Sequence, residues 1–442
     1  MKLPEYVLYC VQALEAAGFA AYAVGGCVRD SLLGLTPHDY DLCTNALPEQ
    51  IREVFKTHHL VLAGEKHGTV GVITHQGVVE ITTFRTEGGY RDHRHPDWVK
   101  FVDQIDGDLA RRDFTVNAMA WSPTRGFADP FGGREDLKNR ILRAVGEPQI
   151  RFYEDALRIL RGVRFAVRYR LTPDDATLNA MFSLAPLMDS LASERVLEEL
   201  CKLLPLVTAE DLLQFSPALT QVLPELKDTL GFQQHSPHHA YDVFTHTAQV
   251  VAATPAELPL RWAALLHDIG KVPTFTQDQN GRGHFKGHAK ISAQMADAAL
   301  RRLKSPTALR ERVVFLIDKH MTPLEPDKKL LRRRLSQYGE EALRQLLALQ
   351  RADFCSKGVA DPCPSVFDQI DALLGEILQE NSCLKITDLA IDGHDLMQLG
   401  LAGQQIGETL EYLLCQVLDE TTPNEKAALL QLVEQKFTHT EE

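Results

Sequence analysis

Two aspartates one residue apart, Asp39 and Asp41 in His38-Asp-Tyr-Asp-Leu-Cys43, follow closely on the turn Val24-Gly-Gly-Cys-Val-Arg29-Asp30. On a β-strand the side chains at i and i+2 leave the same face, so both carboxylates converge on one point. Side by side they repel and raise each other's pKa unless a positive charge lies between them. A hard divalent cation such as Mg²⁺ meets that need and also binds nucleotide phosphates. The Gly25-Gly26 turn leads into a short helix with Arg29 near its start, a seat for phosphate beside the cation. This chemistry is phosphoryl or nucleotidyl transfer.

The elements around the pair extend it. Strands are expected at Ala20–Val24 and Asp39–Cys43, and a hairpin at Val70–Thr74 and Val78–Thr82, which brings Glu80 in as a third carboxylate. A helix expected over Asp108–Met119 carries Arg111-Arg112-Asp113 and Asn117; its arginines suit a triphosphate and Asn117 a ribose hydroxyl. Further on, Asp155, Arg158, Arg161 and Arg164 recur every three residues on one predicted helix. Three arginines facing a single acid call for an anion, either an RNA backbone or a nucleotide phosphate.

The motifs Val24–Asp30, Asp39/Asp41, Glu80–Arg85, Arg111–Asn117, Asp129-Pro-Phe-Gly-Gly133, Glu154–Phe165 and Ser193-Glu-Arg195 stand in a fixed order. In this the chain resembles the class II tRNA nucleotidyltransferases, the CCA-adding enzymes of the polymerase β-like superfamily, over residues 1–230. The resemblance implies an α+β fold with a small mixed β-sheet in an N-terminal head, followed by an all-helical neck, body and tail. It implies that Asp39 and Asp41 hold Mg²⁺ with Glu80 beside them, and that Gly25, Gly26, Arg29, Arg112, Asp113 and Asn117 surround the nucleotide. Asp155 and Arg158 would read its base, with Arg161 and Arg164 alongside. The implied activity is template-independent addition of CCA to the 3′ end of tRNA from CTP and ATP, by two-metal transfer with release of pyrophosphate. Base reading also follows from hydrogen-bond chemistry: a carboxylate only accepts and a guanidinium only donates. Cytosine and adenine both offer an amine beside a ring acceptor, whereas uracil and guanine present the opposite pattern and are strongly rejected.

A second constellation lies later: His246, His267-Asp268, His288, His320 and Asp353, with Ala263-Ala-Leu-Leu-His-Asp-Ile-Gly-Lys271 at its centre. Imidazole and carboxylate ligands suit a divalent transition metal. Residues 235–355 resemble the HD-domain metal-dependent phosphohydrolases. That resemblance makes His246, His267, Asp268 and Asp353 metal ligands, sets His288 and His320 at a second metal or a phosphate, and adds a candidate phosphohydrolase activity. His284 and the His235/His238/His239 group read as surface residues.

The chain of 442 residues is long enough for two to four domains, and its 44% hydrophobic and 24% charged content is that of a globular protein. Composition shifts near 140, 230 and 360, and the resemblances then imply a head at 1–140, a neck at 141–230, an HD-type helical domain at 231–360 and a helical tail at 361–442 expected to meet tRNA. No apolar run is long enough to cross a membrane, no signal-peptide core precedes the first helix, and eight scattered cysteines encode no disulfide framework. A cytoplasmic location is expected, and the oligomeric state is left open. The net charge of −13 excludes a nonspecific nucleic-acid coat. Local basic patches remain: ten Lys/Arg against five Asp/Glu over 134–170, and Lys328-Lys329 with Arg332-Arg333-Arg334. The alternatives are a poly(A) polymerase, an enzyme adding only A or only CC, and an HD phosphohydrolase with a non-catalytic RNA-binding head. A lever loop at Thr86–Pro96 weighs against a CC-only enzyme.

Overall fold

The protein, represented by a computed structural model, is described over residues 1–89, 98–237, 239–358, 365–380 and 383–438. It forms two compact units, Met1–Lys227 with Arg302–Lys304, and Asp228–Arg301 with Ser305–Glu442. The first unit holds the larger sheet and the second is nearly all helical.

Nine strands lie in the head: β1 (Ala21–Val24), β2 (Asp41–Thr44), β3 (Leu60–Val61), β4 (Thr69–Thr74), β5 (Gly77–Thr83), β6 (Arg85–Gly88), β7 (Trp98–Phe101), β8 (Ala120–Ser122) and β9 (Gly126–Ala128). Seven of them make one mixed sheet in the order β3-β4-β5-β2-β1-β8-β9. β4 and β5 form the expected hairpin, antiparallel with Val70 opposite Ile81. β2 lies centrally, antiparallel to β1 and parallel to β5. The helix Glu5–Ala16 packs Val7, Val11 and Leu14 inward, as its apolar spacing requires.

Two expectations need correction. β2 starts at Asp41, not Asp39, because β1 ends at Val24 opposite Asp41 and the chain turns away at Gly25. The helix expected over Asp108–Met119 is instead a short helix, Ile105–Ala110, and a 3₁₀ turn, Thr115–Asn117. Asp113 Oδ1 accepts the Phe114 N–H at 2.8 Å, a local bond that competes with helix continuation. β6 and β7 pair antiparallel, with Arg85 opposite Phe101; most of the expected lever loop falls on residues 90–97, which lie outside the described residues, as do 359–364 and His238.

Beyond the head, the helix Leu157–Tyr169 packs against Ser193–Leu203 and buries Ile159, Leu160 and Val163. The second unit has one core around Leu331, Leu343, Leu374 and Ile377 and another around Leu396, Leu413, Leu429 and Val433. The basic run at 328–334 is no open polyanion surface. Lys328 pairs with Glu376 and Glu380, Lys329 and Arg333 with Asp419, and Arg332 with Glu380 and Glu420, pinning one helix to its neighbours. Among the described residues Cys10, Cys27, Cys43, Cys383 and Cys415 carry free thiols, and Cys355 is in a disulfide. No described helix is long and apolar enough to cross a membrane.

Candidate nucleotidyl-transfer cleft and metal centre

The parallel pairing of β2 and β5 sets Asp41 directly opposite Glu80. Asp39 precedes the strand; Tyr40 between them turns the other way, its ring edge-on to Tyr6 at 6.4 Å. Asp41 is exposed as a residue, yet loss of solvent around its carboxyl raises its pKa. The Glu80 charge adds to the rise, Arg112 opposes it, and Asp39 adds a little more. A carboxyl raised in this way, with two further carboxylates offering hard oxygen donors, fits a hard divalent cation. They do not close into a group with every ligand atom within 4.8 Å, as the histidine cluster of the second unit does.

Gly25 forms the floor beside them. Its φ of +75° is open to glycine, and a Cβ there would stand 2.8 Å from Arg112 Nη1. Arg112 reaches over this turn, donates to Asp108 Oδ2 at 3.3 Å, and has a buried Nε with no hydrogen-bond partner among the described residues. Gly26 opens the following helix.

Other predicted nucleotide contacts are engaged by protein. Arg29 is buried: it donates to Asp30 at 2.8 Å and to Asn117 and Tyr169, with its guanidinium 4.1 Å above the Tyr169 ring. Asn117 Nδ2 donates to Asp113 at 3.0 Å, and Arg161 donates to the other Asp113 oxygen at 2.9 and 2.7 Å. Burial pushes the Asp113 carboxyl up, but the Arg161 charge and these bonds hold it down at about 2. The stability it contributes is therefore complete above about pH 4, the unfolded carboxylate range. It is lost as pH falls through about 2.

The arginine ladder is likewise neutralised from within. Arg158 donates to Glu154 at 2.9 Å and to the carbonyls of Arg151 and Arg111, and Arg164 donates to buried Glu199. The expected single helix breaks at Asp155, whose Oδ1 accepts the Leu157 N–H at 3.1 Å. Asp155 is paired with Arg195 at 3.4 Å and makes no hydrogen bond to Arg158. Arg195 Nη1 is buried with no hydrogen-bond partner among the described residues. Sequence reasoning quoted Arg195 without a role and missed Glu199. Their i, i+4 spacing toward one side of the helix Ser193–Leu203 is the only local signal.

In the second unit, helix ends deliver all six predicted ligands to one place. His246 Nε2 lies 3.0 Å from Asp353 and 3.6 Å from Asp268, and His267 Nε2 lies 3.3 Å from Asp268. His288 Nε2 is 3.5 Å from Asp268 and 3.2 Å from His320 Nε2. Each Nδ1 faces a backbone carbonyl, of Ser356, Ala264, Phe285 and Ile317 respectively, which fixes the N–H there and leaves four Nε2 lone pairs converging. Two lone pairs 3.2 Å apart repel, and His267 Nε2 is buried without a hydrogen-bond partner, so this donor set fits a borderline divalent metal. Burial pushes His320 down to about 4, so its ring is neutral and ready to ligate. The ligands fall into two groups sharing Asp268: His246, His267, Asp268 and Asp268, His288, His320.

His284 is exposed and bonded to Asp278, and His235 is exposed, as expected. His239 corrects the surface reading: it lines the metal cavity, its ring 5.0 Å from His246 and its Nδ1 buried without a hydrogen-bond partner among the described residues. We expect elemental analysis of the His267→Ala/Asp268→Ala protein to find less divalent metal than in the parent, with the far-UV spectrum unchanged. Full metal retention would contradict the assignment.

The carboxylate cleft on a mixed sheet, joined in sequence to an HD-type centre, defines a nucleotidyltransferase. Comparison with known proteins narrows this. Residues 21–143 match the Poly A polymerase head domain family, 170–230 the family described as a probable RNA and SrmB-binding site of polymerase A, and 238–357 the HD domain. The CCA-adding enzyme of Levilactobacillus brevis is 36% identical over 96% of both chains. That of Latilactobacillus sakei subsp. sakei is 34% identical over 97% of both. The crystal structure of the Bacillus stearothermophilus CCA-adding enzyme in complex with CTP covers 100% of both chains at 27% identity and a TM-score of 0.68. The Thermotoga maritima CCA-adding enzyme complexed with tRNA shares the fold, at 19% identity and a TM-score of 0.59 over 98% of this chain and 96% of that one. The chain belongs to the CCA-adding enzyme family.

Proposed function

We propose that this chain adds C, C and A to the 3′ end of tRNA, drawing on CTP and ATP, releasing pyrophosphate and using no nucleic-acid template. The observation that carries the reading is the register that sets Asp41 against Glu80 beside the Gly25 turn and Arg112. Family membership supports it, as does the likeness to a relative whose structure contains CTP. Asp39 and Asp41, with Glu80, would hold Mg²⁺, which when bound neutralises the triphosphate and acidifies the RNA 3′-hydroxyl.

The remaining chemistry belongs to side chains. Gly25, Gly26 and Arg112 seat the triphosphate. Arg29, Asp113, Asn117, Arg161 and Arg164 act from beneath, through bonds that hold the turn and the neck helix in position. Asp155 accepts the amine of cytosine or adenine, with Arg195 steadying it. Arg158 donates to the ring acceptor; three of its N–H donors are engaged, and a guanidinium has five. We assign these roles to a head at 1–140 and a neck at 141–230, a transition-metal phosphohydrolase centre to 231–360, and tRNA contact to a tail at 361–442. The substrate makes the cytoplasm the working compartment.

Offered all four NTPs and a tRNA lacking its terminal triplet, the wild-type protein is expected to incorporate only C and A. Asp155→Ala should relax that selectivity at least about tenfold while tRNA affinity holds. Unchanged selectivity would rule out Asp155 as the base reader.

A further inference from the structure

We propose that Lys357 holds the phosphoryl group of a phosphoester in the metal cavity of the second unit, an inference that rests on reading the His/Asp cluster as a metal centre. The helix Glu340–Cys355 brings in Asp353, the next carbonyl but two, Ser356, takes the Nδ1–H of His246 at 3.3 Å, and Lys357 follows directly. Its backbone is fixed from both sides. Ala240 N donates to the Lys357 carbonyl at 2.9 Å. Gly358 turns the chain at φ +71°, where a Cβ would meet Tyr241 at 2.5 Å. The position of this lysine is therefore tied to that of two metal-facing side chains.

Lys357 is half-buried and lines a cavity of about 420 Å³ together with Asp268, His288, His320 and Asp353. Its ammonium stands 4.7 Å from the centre of the Phe354 ring and pairs with no carboxylate among the described residues. A partly desolvated ammonium without an acid is costly, and a ring face offsets only part of that cost. Lys286 lines the same cavity, is exposed, and also pairs with no acid among the described residues. Lys271 differs: it lies 2.7 Å from Asp268 and donates to Gln234 at 2.9 Å. Among the described residues the acids lining the cavity are the two metal-facing aspartates. With a cation on those aspartates, the described lining carries surplus positive charge from Lys286 and Lys357. A phosphoryl group, carrying charge on several oxygens at once, reaches a metal with one oxygen and an ammonium with another. The volume is that of a small-ligand site, about 300–1,000 Å³.

The test titrates inorganic phosphate calorimetrically into the full chain with and without Lys357→Met, so that any binding at the N-terminal Gly25–Arg112 seat is common to both. Methionine keeps the stem against Phe354 and removes the charge. The expected result is phosphate binding at least about tenfold weaker in Lys357→Met and near parental in Lys357→Arg. Equal affinity of Lys357→Met and its parent overturns the inference. Metal content measured on the same samples tests the metal centre separately, because the phosphate comparison stands whatever that content is. Competition with 3′-AMP and with an oligoribonucleotide ending in a 3′-phosphate identifies the source. Displacement of phosphate by the nucleotide alone assigns a free nucleotide, displacement by both assigns an RNA end, and displacement by neither overturns the proposal.

Discussion

Replacing Asp41 with asparagine should lower the single-turnover rate of nucleotide addition by at least about 10³, equivalent to about 4 kcal/mol of transition-state stabilisation. Stability should move the other way. Because loss of solvent and the Glu80 charge raise the Asp41 pKa, its ionised form weakens the folded state as pH rises through that raised value. Removing the charge removes the penalty, so the metal-free variant should melt no lower than wild type at neutral pH. Adding Mg²⁺ should raise the melting temperature of wild type and leave Asp41→Asn unmoved, since only a form that binds the ion gains by mass action. A variant that lost activity through misfolding would melt lower and respond to neither.

Arg164→Ala should destabilise the N-terminal unit by ~3–5 kcal/mol, the cost of stranding one member of a buried ion pair. Arg164 and Glu199 are both under one-tenth exposed, and without Arg164 the carboxylate keeps only Arg161, 4.0 Å away. A double change, Arg164→Met with Glu199→Leu, should recover most of the loss, because two apolar side chains of similar volume replace the pair at little cost. Chemical denaturation of the three variants checks this. A nucleotide-binding Arg164 would behave differently: Arg164→Ala would raise KM for CTP and ATP with stability unchanged.

The contrast between these residues marks what was legible in the sequence. The hairpin carrying Glu80, the glycine turn and the His-Asp string are local patterns, and local patterns fix local geometry. Arg161 and Arg164 read as facing an external anion because their counter-ions are remote. Asp113 lies 48 residues from Arg161, and Glu199 lies 35 from Arg164, so counting acids on the helix itself found one where the fold supplies three. The run at 328–334 failed in the same way, its acids arriving from helices far along the chain. Helix breaks at Asp113 and Asp155 were missed because each side chain bonds a nearby backbone N–H, a choice that periodicity does not reveal. His239 and Lys357 carry no motif at all. Each reaches the metal cavity because it flanks a helix that carries a ligand, His246 or Asp353.

The most direct test feeds the purified protein three tRNAs, ending at the discriminator base, at C and at CC, with CTP and ATP together. Growth by three, two and one nucleotide respectively, followed by a stop, is the outcome this account requires. An A tail that keeps lengthening, or undiminished extension by a protein lacking both Asp39 and Asp41 carboxylates, would contradict it.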